Sequence, residues 1–421
     1  MIPEFYAHIV IWSVAALAVA GMVVQPFGIV EAAWPVAGAA ILLVFRLISP
    51  HVALIGLGKG TDVYLFLTGM MLLAEVARKE GLFDWLAALA TSHANGSANR
   101  LFLLTYLVGT AVTIFLSNDA TAVVLTPAVA AAVKAAKAER PLPYLLICAF
   151  IANAASFVLP ISNPANLVIY SSHMPALLQW LPRFLLPSIL SIVATYVLLK
   201  WTQRSELRHG LVESVVVPPL SAAGKIAGGG IAATAVLLLS ASALDARLGL
   251  PTCAAGALTT IIVLVRKPAH AGQVLKEITW GILPLVAGLF ILVEALDQTG
   301  VIARAATLLH DAAAHSVASA GWAAGIAGAL ASNLANNLPI GLVAANAIHN
   351  APTPDRVTSA ILIGVDLGPN LSVSGSLATI LWLAALRREG QTVGVVRFLV
   401  LGLVVMPPAL LLALAGAMWM N

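Results

Sequence analysis

The chain has little charge. Of its 421 residues only 10% are Asp, Glu, Lys or Arg, against 60% hydrophobic, where a soluble domain carries about 25% charged residues. So few charges cannot cover so much apolar surface in water, and the mean hydropathy of +0.97 agrees. Disordered, collagenous, coiled-coil and soluble globular classes are excluded together. Cysteine is nearly absent: Cys148 and Cys253 are the only two, 105 residues apart. That excludes a disulfide scaffold and matches no zinc or redox spacing. Walker A, HExxH and GxSxG patterns are missing, so neither ATP hydrolysis nor enzyme chemistry is expected. Residues 1–7 carry no Lys or Arg ahead of the first apolar run, which reads as a retained first helix rather than a cleaved signal peptide.

What is present is apolar sequence in lengths that span a bilayer, about 17–25 residues each. Ten spans are expected, at 8–24, 27–47, 61–78, 144–172, 183–200, 225–244, 251–267, 278–296, 357–387 and 394–418. The fold class is an all-α polytopic membrane protein. The runs 144–172 and 357–387 are too long and carry Pro and polar clusters, so they read as broken helices. Two further runs, 101–136 and 320–349, carry SNDA and SNLANN in the middle. With legs of about 13–16 residues they read as re-entrant hairpins, short of a full crossing.

Placing the loops alternately on two sides puts sixteen of the 22 Lys and Arg on one side and six on the other. The richer side is cytoplasmic, and both termini then face outward. The same bias explains the net charge of +4 without nucleic acid. Lipid is the surrounding partner.

The halves repeat. Gly69, Glu75 and Gly81 pair with Gly288, Glu294 and Gly300 at an offset of 219, and Ser117-Asn118 with Ser332-Asn333 at 215. Asn153 pairs with Asp366 at 213. The expected organisation is a first repeat over 1–200, a cytoplasmic linker over 201–224 and a second repeat over 225–421. Five spans per half make the copies upside-down to each other, the pattern of secondary transporters.

Four polar breaks fall at membrane depth: 117–121, 160–166, 332–339 and 368–379. Broken helices expose amides and carbonyls that hold an ion or polar solute without formal charge. Asp119 and Asp366 are acids at that depth and have a partner or a function there. Each reads as a proton carrier; Asp119 reads equally as the cap of the returning hairpin leg. Glu75 and Glu294 read as interfacial or helix-pairing residues. Lys59 with Asp62, and Asp245 with Arg247, read as interface pairs. His173, His310, His315 and His349 show no metal-ligand spacing, and the nine Trp suit interfacial belts.

Three segments carry a resemblance: LSNDATAVVLTP (116–127), ASNLANNLP (331–339) and GVDLGPNLSVSGSLATILW (364–382). From about residue 55 onward the chain resembles the ArsB-type arsenite permeases of the ion transporter superfamily. The resemblance implies export of trivalent arsenite and antimonite across a bacterial inner membrane, driven by inward proton movement and needing no cofactor. It also implies two inverted repeats, assembly as a homodimer, and in some members a cytoplasmic arsenite-stimulated ATPase partner. It places the solute near Asn118, Thr121, Asn163, Asn166, Asn333, Asn337, Ser376 and Thr379, with proton coupling at Asp119 and Asp366. Neutral As(OH)3 suits Asn, Ser and Thr, whereas a three-thiolate site is impossible with two cysteines. SNPAN at 162–166 instead resembles the broken helix of dicarboxylate relatives. A sodium-coupled carboxylate carrier or a sodium/proton antiporter is the alternative.

Overall fold

The computed structural model describes residues 4–419 except 172, 173, 209, 212–216, 245 and 352. His173, the Asp245 pair and part of the 201–224 linker therefore lie outside the described residues. Everything regular among the described residues is helical. The chain opens with α1 (Glu4–Val24), α2 (Ala33–Val44), α3 (Pro50–Lys59), α4 (Thr61–Lys79) and α5 (Leu82–His93). α6 (Ala98–Phe115) turns back through α7 (Asn118–Ala120), a π-helical turn at Thr121–Leu125, and α8 (Thr126–Ala135). α9 (Leu142–Ala154) and α10 (Pro164–Ile169) form a broken helix, followed by α11 (Leu177–Thr202).

The second half runs through α12 (Ala222–Ala243), α13 (Gly249–Arg266), α14 (Ala271–Glu277), α15 (Ile282–Gln298) and α16 (Val301–His315). α17 (Val317–Ala335) and α18 (Asn337–Asn350) form its hairpin. α19 (Asp355–Leu367) and α20 (Leu377–Arg388) form its broken helix, and α21 (Val395–Trp419) closes the chain.

Eight helical segments among the described residues are long and apolar enough to cross a membrane. The pair α3–α4, bent by 48°, makes a ninth if it crosses as one. This is an integral membrane protein. The expected span 27–47 is a helix of only 12 residues, because Pro26, Gly28 and a left-handed Phe27 hold its first part in a tight turn. α6 and α17 have 18 and 19 residues, longer than the hairpin legs expected. Ser97 and Ser316 cap them early, accepting from the Arg100 and Ser319 amides, so each starts in polar sequence. Residues 82–93 and 301–315, expected as loops, are helices. Each is launched from a left-handed glycine, Gly81 (φ 75) and Gly300 (φ 76).

Close helix crossings rest on small residues. A Cβ at Gly69 of α4 would stand 2.2 Å from the Thr252 carbonyl of α13, and one at Gly288 of α15 would strike Pro35 of α2. α17 and α19 cross at Gly325 and Gly364 in the same way. α9 is buried on every face from Pro143 to Ala154, and α19 from Val357 to Leu367. These two helices are the centre of the molecule. Trp180 and Trp382 belong to this core and not to an interfacial belt. Both are fully buried, and their indole N–H groups donate to the Phe157 and Leu145 carbonyls.

One ion pair differs from expectation. Lys59 pairs with Glu294 of α15 at 2.6 Å and not with Asp62, which instead accepts from the Gly249 amide at the start of α13. Glu75 pairs with Arg78, which also holds Glu277 of α14.

Candidate functional site

The two broken helices meet at their breaks. α9 ends at Ala154, and α10 begins at Pro164 with Asn163 as its cap, accepting from the Ala165 amide at 3.0 Å. α19 passes into a tight turn at Gly368–Leu371. α20 restarts with Ser376 as its cap, accepting from the Thr379 amide at 3.1 Å.

Asp366 sits between them with no solvent exposure. Its carboxylate accepts from Ser156 Oγ and from Asn163 Nδ2, both at 2.8 Å. In the opposite direction, Asn153 Nδ2 donates to Asn370 Oδ1 at 3.1 Å and to Thr379 Oγ1 at 3.4 Å. Each first leg thus holds the other half's second leg: Asp366 with Asn163, Asn153 with Thr379. Asn166 Nδ2 donates to the Ser156 and Leu159 carbonyls freed by the break. The structure therefore gathers Asn163, Asn166, Asp366, Ser376 and Thr379 into one cluster. Asn153, Ser156 and Asn370 complete it and were not among the expected site residues. Asn153 had a signal, its repeat relation to Asp366.

The second hairpin joins this cluster through its tip. Asn333 Nδ2 donates to the Gly368 carbonyl at 2.9 Å and its Oδ1 accepts from Ser372 at 2.7 Å. The Asn337 amide donates to the Gly375 carbonyl at 2.9 Å. Between them Asn336 takes φ 71 and ψ 151, a conformation nearly reserved for glycine.

The first hairpin is more self-contained. Ser117, not Asp119, caps its return leg, accepting from the Ala120 amide. Asn118 Oδ1 accepts from the Asp119 amide, and Thr121 bonds Thr113 at 2.8 Å. Among the described residues, no hydrogen bond links Asn118, Asp119 or Thr121 to the Asp366 cluster. The Thr121–Leu125 turn is π-helical, a distortion common at functional sites.

Two cavities reach α10, and no residue of the cluster lines either of them. One, of about 660 Å³, is lined by Ser117, Asp119 and Pro164 together with Glu75, Arg78, Lys276, Glu277 and Arg388. The other, of about 420 Å³, is lined by Lys59, Asp62, Tyr170, Arg247 and His349. α10 divides them, with Pro164 at its start on the first and Leu167 on the second.

Three buried acceptors in this region make no hydrogen bond: Asn153 Oδ1, Asn166 Oδ1 and Asn337 Oδ1. Such groups are costly unless something donates to them. No Lys or Arg belongs to the cluster around Asp366. Among the described residues no group of three His, Cys, Asp or Glu can hold a metal. The arrangement is a buried hydrogen-bonding cluster of amides and hydroxyls around one carboxylate.

Comparison with known proteins adds a lineage. The family described as Citrate transporter matches residues 8–369. The arsenical pump membrane protein of Yersinia enterocolitica is 28% identical over 360 residues, covering 82% of this chain and 83% of that one. Its counterpart in Escherichia coli K12 is 27% identical over 359 residues, covering 82% and 83%. An uncharacterized transporter of Mycobacterium tuberculosis H37Rv is 27% identical over 401 residues, covering 91% and 92%. Among solved structures, the YdaH transporter of Alcanivorax borkumensis matches with TM-score 0.55 at 14% identity, covering 87% of each chain. MtrF of Neisseria gonorrhoeae matches with TM-score 0.50 at 15% identity, covering 87% of this chain and 84% of that one. These two show likeness of fold.

Proposed function

The chain belongs to the Citrate transporter family and is a secondary transporter of ArsB-type resemblance, and we propose that it exports trivalent arsenite in exchange for protons. The observation that carries this reading is the buried, charge-poor cluster around Asp366, next to the α10 helix that separates two cavities. Its acid is Asp366, and its free groups are the acceptors Asn153 Oδ1, Asn166 Oδ1 and Asn337 Oδ1. As(OH)3 presents three hydroxyl donors and no charge, which complements three unpartnered acceptors. The arsenical pump relatives support the same cargo.

The mechanism is alternating access. Solute enters from the first cavity, whose Arg78, Lys276 and Arg388 belong to the cation-rich side, taken as cytoplasmic. It meets Asp366 as an ionised carboxylate and draws on the acceptors of the cluster. Reorientation exposes the cluster to the second cavity, where solute leaves and a proton neutralises Asp366. Protonated Asp366 returns without solute. Asp119 lines the entry side, with Asn118 and Thr121 buried beside it, and Asp119 receives the proton discharged inward. Two inverted repeats, in the bacterial inner membrane with both termini outside, supply the symmetry this cycle needs. Antimonite, with the same three hydroxyls, is a second cargo.

The family description favours one competing reading, a carboxylate carrier. Against it, the free polar atoms of the cluster itself are amide oxygens, acceptors that repel a carboxylate rather than bind it.

Proton-driven arsenite uptake into everted membrane vesicles tests the proposal. The expected result is uptake by the wild-type chain that Asp366→Asn abolishes with the protein still present in the membrane. Sodium-dependent uptake of a carboxylate with no uptake of arsenite would overturn it.

A further inference from the structure

Ser156 is fully buried in the turn that follows α9, and its hydroxyl has two acceptors in reach. Asp366 Oδ2 lies 2.8 Å from Ser156 Oγ, and the Asn153 carbonyl lies 2.7 Å from it. Both are ordinary distances for an O–H donor. A serine hydroxyl has one proton and rotates to place it, so the two acceptors compete for that proton.

The second donor to Asp366 has no such choice. Asn163 Oδ1 accepts from the Ala165 amide at 3.0 Å, which holds the side chain with its Nδ2 on Asp366 Oδ1 at 2.8 Å. The Ser156 backbone is tied as well. Its carbonyl accepts from Asn166 Nδ2 at 2.9 Å, and its amide donates to the Asn153 carbonyl at 3.3 Å. The hydroxyl alone is free to turn.

No other charge decides the contest. The elements packed on α19 carry Tyr144 and Cys148 on α9, Arg183, Tyr196 and Lys200 on α11, His349 on α18 and Arg397 on α21. None of them bonds Asp366, whose side-chain partners among the described residues are Ser156 and Asn163. The repeat is asymmetric here. The offset of 213 that relates Asn153 to Asp366 relates Ser156 to Pro369, which has no hydroxyl. The acid stands in one half and the turning hydroxyl in the other.

We propose that Ser156 is a positioning residue whose hydroxyl points to Asp366 while the carboxylate is ionised and turns to the Asn153 carbonyl when Asp366 takes up a proton. This deepens the export reading and rests on it for the role of Asp366 as proton carrier. In the ionised state Oγ–H donates to Oδ2. In the protonated state the new proton sits on Oδ2 and is donated to Oγ, while the serine keeps its own proton and gives it to Asn153. Asp366 gains one proton and Ser156 gains and loses none. The swap carries the state of Asp366 to the end of α9, where the Asn153 side chain holds Asn370 and Thr379 of the other half. A donor to the ionised form favours that form, so the hydroxyl also sets the pH at which the carrier discharges.

The test reads the carboxyl group directly. Infrared difference spectra of the purified chain are recorded across a pH series, and the carboxyl band missing from Asp366→Asn is followed. Ser156→Ala removes the hydroxyl and adds no bulk. The expected result is a titration midpoint moved to alkaline pH by about one to two units, the loss of one hydrogen bond to an ionised group. Ser156→Thr keeps a hydroxyl and is expected to titrate as the wild type does. Arsenite exchange in everted vesicles, with equal pH inside and out, is expected to shift its pH profile in the same direction for Ser156→Ala.

An unmoved midpoint in Ser156→Ala would overturn the switch, and that result decides by itself if the bulkier threonine fails to fold. An equal shift in folded Ser156→Thr would overturn it too, assigning the effect to packing. A shifted midpoint in a chain that exchanges no arsenite would support the switch and overturn the export reading instead.

Discussion

The Asn163 side chain donates to Asp366 at 2.8 Å from 203 residues away in the chain. Asn163 caps a helix of the first half and Asp366 ends a helix of the second. Its near mirror image is the bond from Asn153 to Thr379. One of the two crossed contacts contains a carboxylate and the other does not, so a proton changes one and leaves the other as it is.

Asn163→Ala is therefore expected to impair transport more than Thr379→Ala. A hydrogen bond to an ionised group is worth about 1.5–3 kcal/mol, and one between neutral groups about 0.5–1.5. Initial rates of arsenite uptake in everted vesicles, normalised to protein level, check the order. Equal losses would remove the special role of the carboxylate.

Gradient direction gives the pH prediction. In everted vesicles the lumen corresponds to the outside. An acid lumen drives protons out past Asp366 and arsenite in; an alkaline lumen opposes both. Uptake is expected to rise with an acid-lumen gradient, fall when the gradient is reversed, and collapse with a protonophore. Uptake indifferent to the gradient would contradict proton exchange.

Asn336 stores strain at the second hairpin tip. Its φ 71 and ψ 151 cost about 1–3 kcal/mol for a non-glycine residue, while its Nδ2 reaches the Ser374 carbonyl at 3.3 Å. Asn336→Gly is expected to raise the melting temperature in detergent and lower the transport rate. A variant neither more stable nor slower would show the tip to be unstrained and idle.

Much of this site is written locally in the chain. Ser117, Asn163, Asn336 and Ser376 sit beside helix breaks, and Pro160 and Gly368-Pro369 disfavour helix within apolar sequence. The breaks were legible for that reason. Their partners were not. Nothing near Lys59 points to Glu294, 235 residues away, in preference to Asp62 three residues on. α16 escaped notice because its Ala-rich, charged sequence is too polar to read as a span, and its amphipathic face acquires meaning only against α17 and α18. Asn370 lies inside the polar break 368–379, and only the fold brings it to Asn153.

Gly69 tests the packing. Gly69→Val would push α4 from the α13 backbone at Thr252, at a cost of about 1–3 kcal/mol for overpacking. Gly229→Ala, inside α12 with nothing within 4 Å of the new methyl, is expected to keep stability or raise it by up to about 1 kcal/mol. Thermal unfolding in detergent separates the two.

The most direct measurement is cell arsenic in an arsenite-sensitive bacterium that expresses this chain, beside cells expressing Asp366→Asn and cells with empty vector. The account predicts low arsenic and growth on arsenite with the wild type alone. Wild-type cells holding as much arsenic as the empty vector, with the protein present in the membrane, would contradict it.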